Sequence, residues 1–184
     1  LFTDLGADMI VSGGQTMNPS TDDILNAIEQ TPASTVFVLP NNKNIIMAAE
    51  QAVPLSSRKF IVLPTRTIPQ GISAMLSFDP DADDDTNAIG MQKGYENVQT
   101  GQVTFAARDS DYDGKKITKG ELLALANGKV SFTETDLEKC VLKLVKNLSN
   151  KETSFVTLIY GEDVSDRKAE TICKALKNKL DNSI

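Results

Sequence analysis

The sequence contains no histidine, and this absence removes several kinds of active site. Neither a Ser-His-Asp triad nor a Cys-His pair can be assembled from the chain alone. Zinc sites that use histidine, and haem held by histidine, are excluded for the same reason. Any general base must therefore be a carboxylate, a lysine, a tyrosine, a cysteine or a chain terminus.

Tryptophan is also absent, and only two cysteines occur among the 184 residues. Cys140 and Cys173 fall in separate segments with a helical pattern, so we expect reduced, buried thiols and no disulfide framework. No apolar run reaches the roughly 18 residues of a membrane-spanning helix, and no signal-peptide pattern is recognisable. We therefore predict a cytoplasmic protein without membrane insertion.

The charge is acidic overall and unevenly distributed. The chain has 25 acidic and 19 basic side chains, a net charge of -6, which argues against a nucleic-acid partner. Residues 1–100 hold 12 acidic and 5 basic side chains, whereas residues 101–184 hold 13 acidic and 14 basic ones. This asymmetry predicts two sub-structures. Because the chain begins at Leu1 instead of Met, we also expect a piece of a longer protein.

In the first half, an apolar segment, a polar loop and a helical pattern recur three times. The predicted strands are residues 9–11, 35–39 and 59–63. This alternation predicts a Rossmann-like parallel sheet with right-handed crossovers. Since the strands are apolar throughout, we expect helices on both faces of the sheet.

The acidic run at residues 79–85 is the predicted boundary between the two halves. It divides the chain into a parallel α/β lobe, residues 1–78, and a mixed α/β lobe, residues 79–184. The second lobe is predicted to contain a hairpin with Asn127-Gly128 as its turn and a capping box of Thr135 with Glu138. Its other predicted elements are helices at 86–98, 137–148 and 165–180 and strands at 102–107 and 154–160.

The three loops of the first lobe leave the carboxyl ends of their strands, which is the edge where ligands bind in open α/β sheets. Glycines there allow close approach of a ligand, helix N-termini favour anions, and a guanidinium suits a carboxylate or phosphate. The candidate ligand- or partner-binding residues are Ser12, Gly13, Gly14, Gln15, Thr16, Asn18 and Ser20 in the first loop, Asn41, Asn42, Lys43 and Asn44 in the second, and Thr65, Arg66, Thr67 and Gln70 in the third.

These loops combine cations, amides and hydroxyls without an obvious base, so they predict recognition without proton transfer. The first loop matches neither of the glycine-rich phosphate-binding patterns. A well-capped turn between strand and helix is the alternative interpretation of that loop. Arg66, taken alone, is equally typical of a surface arginine bonded to its neighbours.

The segment from Asp109 to Gly114 begins like a calcium-binding loop. However, Gly120 occupies the twelfth position, where such a loop requires a glutamate. A β-hairpin that turns at Asp113-Gly114 explains the segment better. We therefore predict no metal site, with a cation at Asp109–Asp113 as the alternative.

Several long motifs carry a resemblance to a known family. They are SGGQTMNPS, LPNNKN and LPTRTIPQG in the three loops, followed by VTFAARDSDYDGKKITKGE and NGKV. Together they resemble the C-terminal region of FakA, a component of bacterial fatty acid kinase. The resemblance covers nearly the whole chain and implies a DegV-like α/β architecture, similar to the partner FakB.

The resemblance also implies a function. Full-length family members carry a dihydroxyacetone-kinase-like (DhaL-type) domain that binds ATP and Mg, and they are expected to be homodimers. That domain phosphorylates the acyl carboxyl of a fatty acid held by FakB, and the C-terminal region is expected to recruit FakB. In the first loop, Gln15, Thr16, Pro19 and Ser20 resemble the ligand loop of DegV-like proteins.

The chain departs from the family pattern in informative ways. DegV-like carriers place a histidine near the lipid head group, and this sequence has none. The ATP-binding domain and the Cys/His positions of the family's middle region are absent, and a last strand is expected beyond residue 184. We therefore expect a cofactor-free docking module without kinase activity of its own. The alternative is a domain that binds a small anionic ligand or a lipid head group.

Overall fold

The computed structural model describes residues 1–13, 17–112 and 115–180, and it confirms a mixed α/β architecture. The chain forms two compact units, Leu1–Val98 and Gln99–Ile184. This division differs from the predicted one at residues 78/79. The acidic run starts a helix, and the buried Met91 and Tyr95 of that helix belong to the core of the first unit.

The first unit contains a two-stranded parallel sheet between helices. Its helices and strands are α1 (Thr21–Gln30), β1 (Thr35–Val38), α2 (Lys43–Ala52), β2 (Lys59–Val62), α3 (Ile68–Leu76) and α4 (Asp84–Glu96), with short 3₁₀ turns at Thr3–Leu5 and Val53–Leu55. β1 and β2 pair in register from Thr35 opposite Lys59 to Val38 opposite Val62. The predicted parallel pairing of these two strands is thus confirmed.

Helices cover both faces of this sheet, as the apolar strands predict. On one face, α1 and α2 bury a cluster of Ile24, Ile28, Ala49, Ala52 and Phe60. On the other face, α3 and α4 bury a cluster of Leu63, Ala74, Met91 and Tyr95. The alanines leave room for the helices to lie close to the strands.

The predicted first strand at residues 9–11 is wrong. No ladder forms there, and Met9, Ile10 and Val11 are 42%, 55% and 39% exposed. The segment lies beside α1 and forms one side of a shallow groove. An apolar run reports local strand propensity, but a strand also needs a neighbouring ladder for its backbone groups.

Polar side chains cap the helices of the first unit. Ser20 and Asp23 form the predicted capping box of α1, and hydrogen bonds from Ser20 lower the pKa of the Asp23 carboxyl. Asp83 caps α4 by accepting a bond from the Thr86 amide. Asp84 accepts bonds from Lys59 and Thr35, which lower its pKa and attach the start of α4 to both strands.

The second unit is an antiparallel sheet with a helical layer. Its elements are β3 (Gly101–Phe105), β4 (Ser110–Tyr112), β5 (Lys115–Ile117), β6 (Leu122–Ala126), β7 (Lys129–Glu134), α5 (Leu137–Leu148) and α6 (Asp166–Leu180). The main sheet has the order β3-β6-β7. Asn127 and Gly128, with φ of 50° and 80°, form the predicted hairpin turn between β6 and β7. β4 pairs with β5, and the predicted turn at Asp113-Gly114 lies outside the described residues.

Two further predictions in the second unit are wrong. Residues 154–160 form no strand, and Asp136 caps α5 where the sequence predicted Thr135 with Glu138. Asp136 reaches the Lys139 amide at 2.8 Å and so takes the capping position one residue later. Both cysteines are free thiols as predicted. Cys140 is buried, which raises its thiol pKa, whereas Cys173 is only half-buried.

None of the helices within the described ranges is long and apolar enough to cross a membrane.

Arg58 joins the end of α1 to the start of β2. Its Nη1 donates to the carbonyl oxygens of Thr31 at 2.6 Å and Ala33 at 2.9 Å, and its Nε lies 3.6 Å from Glu29. We expect Arg58→Lys to lower the free energy of unfolding by about 1 kcal/mol, because an ammonium cannot reproduce the fork. Urea unfolding would measure this loss. Arg66→Lys, the same change at an exposed guanidinium, should have an effect below about 0.5 kcal/mol. Equal effects of the two substitutions would contradict the role of Arg58.

Candidate functional site

The second and third loops are joined by a reciprocal pair of hydrogen bonds. The Asn41 amide donates to Thr65 Oγ1 at 3.0 Å, and the Thr65 hydroxyl donates to Asn41 Oδ1 at 2.8 Å. Asn41 has a left-handed backbone with φ of 55°, a conformation that asparagine tolerates better than most residues. Thr65 is completely buried, so it positions Asn41 and does not itself face a partner. We call residues 41–44 and 64–70, at the carboxyl ends of β1 and β2, the loop edge.

Gly71 allows α3 to approach this pair of loops. A Cβ atom at this position would collide with the side chain of Asn41. Glycine inside a helix normally costs about 1 kcal/mol relative to alanine, and here it makes room for a close contact. The isolated glycine in a helical pattern was a sequence signal for such a contact, and the candidate residues omitted it.

Three of the candidate residues hold the backbone of the loop edge. Asn42 caps α2 by accepting a bond from the Asn44 amide at 2.9 Å. Thr67 caps α3 by accepting from the Gln70 amide at 3.3 Å, and Gln70 Oε1 accepts from the Arg66 amide at 2.7 Å. The positive ends of both helix dipoles therefore lie at the loop edge.

The loop edge also presents exposed cations in an acidic unit. The first unit has five basic residues, and two of them, Arg58 and Lys59, form ion pairs with Glu29 and Asp84. Lys43 and Arg66 are exposed, and neither forms a salt bridge within residues 1–13, 17–112 and 115–180. Two of the three remaining cations of this unit thus lie together at one edge.

The first loop is only partly described. Gly14, Gln15 and Thr16 lie outside the described residues, so the grouping of all three loops stays a prediction. A Cβ atom on Gly13 would come within 2.8 Å of Pro19 Cδ, which shows that the two ends of the loop meet. Ser12 and Asn18 are exposed, whereas the Ser20 side chain is used to cap α1.

Three large apolar side chains near these loops were missed by sequence reasoning. Met17 in the first loop, Met47 in the second turn of α2 and Ile68 at the start of α3 are 80%, 67% and 48% exposed. α1 and α2 run in the same direction relative to the sheet, so the topology places all three residues toward the loop edge. A methionine within a polar loop was the one available sequence signal, because Met47 and Ile68 fit an ordinary helical pattern.

The largest described cavity of the first unit is an open groove beside α1. It has a volume of about 340 Å³ and is lined by Met9, Ile10, Val11, Ser12, Asp23, Asn26, Ala27 and Gln30. Its one ionisable side chain, Asp23, is engaged in the capping box of α1. The groove is a surface feature and does not enclose a ligand.

The described residues include no group of three or more histidine, cysteine, aspartate or glutamate side chains that could hold a metal ion. Asp109 Oδ1 accepts a bond from the Lys119 amide at 2.7 Å, across the base of the β4–β5 hairpin. Because Asp113 lies outside the described ranges, the alternative of a cation at this hairpin is not addressed by the geometry.

The pair of bonds between Asn41 and Thr65 can be tested by two substitutions. Thr65→Val keeps the shape but removes the hydroxyl, so the Asn41 amide and side chain both lose a partner. We expect the free energy of unfolding to fall by about 1–3 kcal/mol. Thr65→Ser keeps the hydroxyl and should cost about 1 kcal/mol or less. Chemical denaturation of both variants would show the difference, and a Val variant as stable as the Ser variant would contradict the proposed lock.

Comparisons with known proteins place the chain among kinase-associated sequences. The model of the FakA-like C-terminal family, described as a fatty acid kinase family, matches residues 1–184. Protein YloV of Bacillus subtilis is 41% identical over 181 residues, which are 98% of this chain and 33% of YloV. An uncharacterized protein of Staphylococcus haemolyticus is 43% identical over 166 residues, 90% of this chain and 30% of that protein. The chain therefore spans about a third of the length of these curated relatives.

Proposed function

Because this chain belongs to the FakA-like C-terminal family of fatty acid kinases, we propose that it is a docking domain for a fatty-acid-carrying partner. In this proposal the loop edge recruits a FakB-like carrier. A separate ATP- and Mg-binding domain of the full-length protein then phosphorylates the acyl carboxyl of the bound fatty acid.

The observation that carries the proposal is the composition of the loop edge. Lys43 and Arg66 are exposed there in a unit whose residues 1–98 hold 12 acidic and 5 basic side chains. Next to them, Met17, Met47 and Ile68 expose apolar surface. Methionine and arginine are enriched in protein interfaces, and methionine adapts its shape to a partner. Apolar side chains among isolated cations favour an acidic protein surface as the occupant.

The ionisable groups support recognition over catalysis. Every resolved pKa shift of the described residues moves away from neutrality. The pKa values of Asp23, Asp83, Asp84 and Glu134 are lowered by hydrogen bonds. The pKa values of Lys59, Tyr95, Cys140 and Tyr160 are raised, by a hydrogen-bonded carboxylate or by burial. A general acid or base works best with a pKa near the operating pH, which none of these groups approaches.

A second candidate function uses the same edge. The positive ends of α2 and α3 and the Arg66 guanidinium favour a small anion or a lipid head group. A small anion would bind the cations and amides without needing the exposed methionines, so the two functions can be separated by experiment.

The docking proposal predicts a specific loss of affinity. In the full-length protein, Lys43→Ala with Arg66→Ala should weaken binding of the fatty-acid-loaded carrier by at least about tenfold, equivalent to about 1.4 kcal/mol. Isothermal titration calorimetry would measure the change. Lys93→Ala removes the remaining cation of the same unit from the exposed side of α4 and should leave the affinity unchanged. Equal losses in the two variants, or no loss in either, would contradict the assigned surface.

A second pair of variants in the same titration separates the two candidate functions. Met47→Ser should weaken carrier binding, because Met47 lies toward the loop edge. Leu55→Ser is the control, since Leu55 is 66% exposed beyond the opposite end of α2. Should inorganic phosphate bind in an Arg66-dependent manner while Met47→Ser leaves carrier binding intact, the small-anion function would replace the docking proposal.

A further inference from the structure

Residues 154–160 combine strong strand propensity with an unpaired backbone. The segment, SFVTLIY, consists mainly of β-branched and aromatic residues, which are enriched in strands. It nevertheless joins none of the described sheets. Phe155, Val156, Ile159 and Tyr160 are 73%, 38%, 49% and 47% exposed, so four of its seven side chains present apolar surface to solvent.

One residue anchors this segment to the core of the second unit. Leu158 packs against the cluster of Val141, Ile172 and Leu176 between α5 and α6. Val103 of β3 packs against the same cluster. The segment therefore runs on the β3 side of the helical layer, and β3 is the outer strand of its sheet.

The topology suits a further strand at this place. β3 and β7 are both antiparallel to β6 and hence parallel to each other. A right-handed crossover from β7 through α5 sets the next extended segment parallel to both. In an extended segment the side chains alternate, so Phe155 and Ile159 project away from the face that carries Leu158. Exposed apolar strands with free backbone groups are association sites that folded proteins normally cover.

We propose that residues 154–160 form a β-strand in the full-length protein, paired with an extended segment of the same polypeptide outside residues 1–184. The relatives are about three times as long as this chain, so most of such a polypeptide lies outside the described structure. A tethered segment competes at a high effective concentration and thus pairs in preference to a free partner or a second copy. This pairing satisfies the backbone of 154–160 and covers Phe155 and Ile159.

Hydrogen–deuterium exchange of the full-length protein, without any carrier, tests the proposal. The amides of residues 155–159 should exchange at least about tenfold more slowly than those of the flanking residues 150–153 and 161–164. Exchange at the rate of these flanking loops would overturn the proposal. Protection that appears only as the protein concentration rises would assign the pairing to a second copy and would also overturn it.

A matched pair of variants adds a second readout. Ile159→Ser should lower the Tm of the full-length protein by about 4 °C, because Ile159 becomes covered on pairing. Ile89→Ser makes the same change at a side chain that is 57% exposed on α4 and should leave the Tm nearly unchanged. Equal shifts would contradict the proposal. Because neither measurement involves a carrier, the strand proposal and the docking proposal can fail independently.

Discussion

The contact of Asn41 with Thr65 and Gly71 is the constraint on which the proposed surface depends. It fixes the backbone after β1 against the backbone after β2, and it does so with a fully buried hydroxyl and a glycine that leaves room for the amide. The caps of α2 and α3 begin on either side of this contact. A rigid backbone then carries the exposed side chains of Lys43 and Arg66, so little conformational entropy needs to be lost when a partner binds.

The charges of the first unit divide into two classes that serve different ends. Arg58 and Lys59 are used within the fold, where they satisfy carbonyl groups and attach α4 to the sheet. Lys43 and Arg66 contribute nothing comparable to the described fold, yet they lie at the same edge. In a unit with an acidic total, this placement favours attraction of an acidic surface while the rest of the unit repels it. Complementary charge of this kind sets orientation and association rate more than affinity.

Patterns that depend on local residues were predictable from the sequence, and pairing was not. Asn127-Gly128 specifies its turn through the positive φ of both residues, and the strands at 35–38 and 59–62 follow from apolar runs before polar loops. Residues 9–11 and 154–160 show the same propensity but lack a ladder in the described chain. Thr65 was correctly placed at the loop edge, but only the three-dimensional packing shows that it is buried. Burial and pairing depend on residues distant in sequence, which a local pattern does not contain.

The central claim is that the loop edge of the first unit is the surface on which the fatty-acid carrier docks. The most direct measurement is a hydrogen–deuterium exchange footprint of the full-length protein with and without the loaded carrier. The account predicts slower exchange on binding at residues 17–20, 41–47 and 64–70, with little change in α5 and α6. A footprint confined to the second unit, with the loop edge unchanged, would contradict it.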